Sequence, residues 1–161
     1  MQKLIVTALD KLIDIQTELL NYADLKKTAL IERKADELNR LVKEETKLVK
    51  QLGQTESERM QLVETLMQEH PTLSFAEFAE QLPDEQVKQK LQLQLKTLQQ
   101  LTAELQDKNK VNDRLLKDSM SFVQHMIDQI TQSQQQQFNY QSPMGQQQKQ
   151  TSSRGFFDTK A

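Results

Sequence analysis

The sequence has no cysteine and no tryptophan, and it holds only three glycines and three prolines in 161 residues. Without cysteine there is no disulfide scaffold, no thiolate metal site and no thiol nucleophile. So few glycines and prolines argue against a turn-rich sandwich or barrel. No apolar run approaches the roughly 18 residues needed to cross a bilayer. The run Leu4 to Leu9 is too short for a signal-peptide core, and Asp10 ends it. A charge of one sign is also missing. The net charge of −2 gives no electrostatic reason to expect nucleic acid or anionic lipid as a partner. A soluble cytoplasmic protein is the simplest reading.

What is present favours helix. Leu, Gln, Lys, Glu, Ala and Met dominate, and all are good helix formers. Residues 2–68 contain no proline and read as one very long helix or two helices nearly in line. Ile5, Leu9, Leu12, Ile15 and Leu19 recur as one helix face, followed by Ile31, Ala35, Leu38, Leu41, Leu48 and Leu52. The pattern loses phase around Asp24 to Thr28, and Gly53 precedes a wholly polar stretch, so each is a candidate kink. Residues 69–83 are a turn region: Pro71 closes the first helix, and Ser74 with Glu77 offers a capping box for a short helix from Phe75 to Gln81. Pro83 then fits the first turn of a third helix, with Asp84 and Glu85 at its positive end.

That third helix, about 84–133, has the cleanest periodicity. Leu91, Leu95, Leu98, Thr102, Leu105, Asn109, Asn112, Leu116, Ser119, Val123, Met126 and Ile130 alternate spacings of four and three, a heptad stripe. The expected fold is all-α: an elongated, coiled-coil-like antiparallel helical hairpin with a short middle helix and a disordered C-terminal tail. The hairpin would occupy 1–133 and the tail 134–161. Ten of the 26 glutamines fall in the last 30 residues, a composition too polar to offset its ordering entropy.

Catalytic signatures are missing. His70 and His125 have no second histidine at ligand spacing, and there is no phosphate-cradling glycine loop. The 23 acidic residues lie mostly on polar helix faces, as solvated charge. The reading is a non-enzyme with no cofactor and no metal.

Three features carry more information. Asn109 and Asn112 sit on the heptad stripe, where a polar side chain fixes register at a cost in stability, or where a groove tolerant of polar groups admits another chain. Apolar residues exceed what one stripe requires, concentrating at Leu115, Leu116, Met120, Phe122, Val123, Met126 and Ile127. That surplus serves packing, a second copy of the chain, or a groove for a client's amphipathic helix; methionine suits adaptable surfaces of this kind. Finally Phe138, Tyr140, Phe156 and Phe157 place half of the eight aromatics in the tail, as anchors for a partner or as residues that dock back on the hairpin.

Several runs resemble the FlgN family of bacterial flagellar type III export chaperones. They are Asn109-x-x-Asn112-x-x-Leu115-Leu116, the early Leu38-Asn39-Arg40-Leu41-Val42-Lys43-Glu44-Glu45, and a tail with Tyr140 ahead of Gly145 and the ending Arg154-Gly155-Phe156-Phe157-Asp158-Thr159-Lys160-Ala161. The resemblance covers nearly the whole chain. It implies a cytoplasmic chaperone that binds hook-associated proteins through their terminal helical segments, prevents premature assembly and delivers them to the export gate. It also implies docking to the gate protein FlhA through a tail tyrosine. Tyr140 matches, with Phe138 beside it. The alternative from another class is a structural coiled-coil protein forming a homodimer or scaffold.

Overall fold

The structure, a computed structural model, describes residues 1–141, with side chains through residue 135. Four helices follow in order: α1 Gln2–Ile31, α2 Ala35–Met67, α3 Phe75–Glu80 and α4 Glu85–Gln141. No strand occurs among the described residues. The expectation of an all-α antiparallel hairpin with a short middle helix holds. The expected tail falls partly within α4, which runs beyond 133 to Gln141, and residues 142–161 lie outside the described set.

The hairpin is made differently from the expectation. The first segment does not run through to residue 68. It folds back at residues 32–34, so that α1 and α2 are antiparallel neighbours, with Lys26 paired to Glu45 at 2.7 Å and Leu66 in the same apolar cluster as Ile5. The turn is a Schellman motif. The Lys34 N–H donates to the Ala29 carbonyl at 2.9 Å and the Arg33 N–H to the Leu30 carbonyl at 3.3 Å. Arg33 occupies the left-handed position, φ 56°, where glycine is usual. Asp24 to Thr28 stay within α1, and Gly53 lies inside an unbroken α2. Ile31, expected to begin the second stripe, instead closes α1 and is exposed.

Local signals at the other helix ends act as the sequence implies. The Ser74 Oγ accepts from the Glu77 N–H, and the Glu77 carboxylate accepts from the Ser74 N–H at 2.8 Å, a complete capping box. The Ser74 N–H and the Ser74 hydroxyl, both donating to that carboxylate, hold the Glu77 carboxyl below its ordinary value. Asp84 caps α4, its Oδ1 accepting from the N–H groups of Gln86 and Val87 at 3.0 and 3.3 Å. Pro83 stands just before that cap rather than in the first turn.

The chain divides into two compact units, Met1–Met120 and a second one from Ser121, and α4 contributes residues to both. In the first unit α4 lies parallel to α1 and antiparallel to α2: Lys90 pairs with Asp10, Lys108 with Asp24, and Asn112 with Ala23. The core gathers Ile5, Leu9 and Leu12 of α1, Leu66 of α2, Phe78 and Ala79 of α3, Leu82, and Leu91 of α4. Phe78 packs its ring 4.9 Å from His70 and 6.4 Å from Phe75. Toward the α1–α2 turn the buried residues become smaller, with Ala23 and Ala29 allowing close backbone approach beside Leu19 and Leu41.

Candidate functional site

α4 carries two distinct surfaces, one in each unit. In the first unit the seam between α4 and α1 is polar. The Gln94 Nε2 donates to the Val6 carbonyl at 3.0 Å and to the Asp10 carboxylate at 2.6 Å, and the Lys90 Nζ donates to the same carboxylate at 2.9 Å. Lys90, helped by the Gln94 amide, holds the Asp10 carboxyl below its ordinary value against the opposing effect of desolvation. Farther along, the Thr102 hydroxyl donates to the Gln16 Oε1, and Lys108 to Asp24 at 2.6 Å. The Asp24 carboxylate in turn raises the Lys108 ammonium above its ordinary value.

Gln94 and Asn112 are the buried amides of this seam. The Asn112 Nδ2 donates to the Ala23 carbonyl at 2.9 Å, while its Oδ1 and the Gln94 Oε1 accept no hydrogen bond from the described residues. Each such orphan acceptor costs roughly 1–3 kcal/mol of desolvation. Asn109, the companion of Asn112 on the sequence stripe, is exposed. The heptad stripe therefore follows the buried face of α4 only in part. Gln94, off the stripe, is buried, while Thr102, on it, is exposed. Sequence spacing missed Gln94 because the leucines around it, Leu91, Leu95 and Leu98, already satisfy the period.

The expected client-binding residues divide between the units. Leu115 and Leu116 lie in the first, half-buried, and Met120 ends that unit exposed. In the second unit Phe122, Val123, Met126, Ile127 and Ile130 are all exposed, from 43% for Phe122 to 55% for Ile130. Monomeric proteins scatter single apolar residues over their surfaces, but a contiguous set marks an interaction site. Met126, Gln129, Ile130, Ser133 and Gln134 line an open depression of about 270 Å³ on this stretch. A second depression, about 460 Å³, lies between α1 and α2, and its lining includes the charges of Lys11 and Glu58 among Leu4, Ala8 and Leu62.

Phe138 and Tyr140 fall within α4, but their side chains are outside the described set, as is the whole Arg154–Ala161 ending. Among the described residues no group of three or more histidines and carboxylates could hold a metal ion. No described helix is long and apolar enough to cross a membrane.

A family model described as "FlgN protein" matches residues 1–148. No curated protein and no solved structure matches the chain significantly.

Proposed function

The chain belongs to the FlgN family of flagellar export chaperones, and from that premise we propose that it binds flagellar hook-associated proteins in the cytoplasm, holds their terminal helical segments out of premature assembly, and delivers them to the export gate. The observation that carries this reading is the contiguous exposed apolar set Phe122, Val123, Met126, Ile127 and Ile130. A client's amphipathic helix laid on it would gain roughly 25 cal/mol for each Å² of apolar surface removed from water, before ordering costs. Met126, unbranched and polarizable, adapts to more than one client surface.

The remainder of the family reading attaches to the end of α4. Tyr140, with Phe138 as its neighbour, docks on the gate protein FlhA, so that client binding and delivery use different residues. Leu115 and Leu116, half-buried in the first unit, contribute less to the client than the exposed residues after Ser121. The reading requires no cofactor.

Calorimetric titration of a hook-associated protein tests the proposal. Phe122→Asp and Met126→Asp are each expected to weaken binding at least tenfold while far-UV helicity stays at the parent level. Parent affinity in both variants overturns the assignment of the client surface. Tyr140→Ala is expected to retain client affinity and lose capture by the cytoplasmic part of FlhA. Loss of client affinity instead contradicts the division of labour.

A further inference from the structure

α2 has two apolar stripes, and the chain covers only one of them along its length. The covered stripe holds Leu41 and Leu66, which are 1% and 8% exposed. The second passes through Val42, Val49, Gly53, Met60, Val63 and Met67, all at the a and d positions of one heptad frame. At 100° per residue, Val42, Val49, Gly53 and Met60 fall within an arc of about 40°. Val63 and Met67 are half-buried against the core, so the stripe begins inside the fold. From Met60 toward Val42 it lies open, with Met60 58%, Val49 52% and Val42 37% exposed. Gly53 stands in the middle of this open part, and a Cβ built on it would meet nothing within 4 Å. A glycine inside a helix costs about 1 kcal/mol relative to alanine, and nothing in its own chain approaches closely enough to require one.

The charges beside the open stripe indicate what covers it. Its outer flank reads Lys43, Lys50, Ser57 and Glu64, positive in the N-terminal half and negative at the far end. Lys43, Lys50 and Glu64 are exposed and make no ion pair among the described residues, whereas Arg40, Lys47 and Arg59 are paired within α2. An antiparallel helix with the same charge order meets this flank with opposite charges, because outer flank then faces outer flank. A second α2 supplies that order. With Val49 opposite Met60 of the second copy, Val42 comes opposite its Met67, Lys43 beside its Glu64, and Gly53 under its Glu56. Short β-branched side chains thus meet long flexible ones at both ends of the contact. A parallel alignment would instead set the outer flank against the inner one. There Glu45 and Arg59 are already paired, to Lys26 and Glu56 of their own chain.

We infer that α2 is a self-association surface, on which a second copy of this chain docks antiparallel along the stripe from Val42 to Met67, a contact about 37 Å long. The surface lies wholly in the first unit and does not depend on the client reading.

Sedimentation of the full chain over a concentration series tests the inference, with charge reversal as its control. The parent is expected to pass from monomer to dimer as concentration rises. Val49→Asp should raise the dimer Kd at least tenfold at parent far-UV helicity. Lys43→Glu and Glu64→Lys should each raise it by about threefold or more, and the double variant should return it toward the parent value. The absence of cysteine allows the alignment to be read directly. Val49→Cys and Met60→Cys chains, mixed and mildly oxidised, should form a disulfide between the two variants, and neither should dimerise covalently alone. A parent that stays monomeric up to its solubility limit overturns the inference. So does a dimer indifferent to both Val49→Asp and the charge reversals, since it would use another surface. Disulfides within Val49→Cys alone, and none joining the two variants, overturn the antiparallel alignment.

Discussion

Two stretches of α4 carry the same spacing of apolar side chains and end in opposite environments. Around Leu91, Leu95 and Leu98 the stripe enters the core, and Leu91 is 1% exposed. Around Val123, Met126 and Ile130 the stripe meets solvent, and Met126 is 45% exposed. Periodicity therefore tells which face of a helix is apolar and not whether that face is covered. In the first unit the stripe is covered by Ile5, Leu9 and Leu12 of α1, Leu66 of α2 and Phe78 of α3, and farther along α4 the Asn112 amide donates to the Ala23 carbonyl.

Substitutions at the two stripes should have unequal effects. The largest effect is expected at the core. Leu91→Ala should cost about 2–5 kcal/mol, read as a fall in the denaturation midpoint, whereas Met126→Ala should change stability by less than about 0.5 kcal/mol. Equal losses at the two positions would show that the second stripe is buried after all. Next is Asn112→Leu, which removes the Ala23 hydrogen bond together with the unpaired Oδ1. Because both polar demands disappear, stability is expected to hold or rise by about 1 kcal/mol. A loss above that size would mean that the amide contributes more than register.

The smallest effect concerns acid. The folded-state Asp10 carboxyl is depressed by Lys90 and Gln94, and that of Glu77 by Ser74. A depressed carboxyl contributes stability above its unfolded value and loses it as pH falls through its folded value. Melting temperature should therefore decline below about pH 4, and Asp10→Asn should flatten part of that decline. Because Asp10 is half exposed, solvent screening keeps the effect small.

The same contrast explains what could be read from residues alone. Features set by a few adjacent residues were legible: the Ser74–Glu77 capping box, the Asp84 end of α4, the short α3, and the apolar faces of α1 and α4. The fold-back at residues 32–34 was not, because its left-handed position holds arginine, which carries no turn signal of the kind glycine or asparagine gives. The burial of Gln94 was equally hidden, since it depends on the Val6 carbonyl and Asp10, more than eighty residues distant along the chain. At the candidate site the surplus of apolar residues after Leu115 was visible in the sequence. The division of that surplus was not: Leu115 and Leu116 turn partly inward, whereas Val123, Met126, Ile127 and Ile130 remain exposed.

Under the proposed function a client covers Val123, Met126, Ile127 and Ile130, which are exposed in the free chain. Amide hydrogen exchange of the full chain, alone and with a hook-associated protein, tests it most directly. A helix stretch whose side chains are largely exposed opens at low free energy, so residues 121–134 are expected to exchange fast in the free chain while Ile5–Leu12 and Leu91–Leu98 stay protected. Client addition should then slow exchange chiefly in residues 121–134. Full protection of that stretch in the free chain, or client-induced protection confined to α1 and α2, would contradict the account.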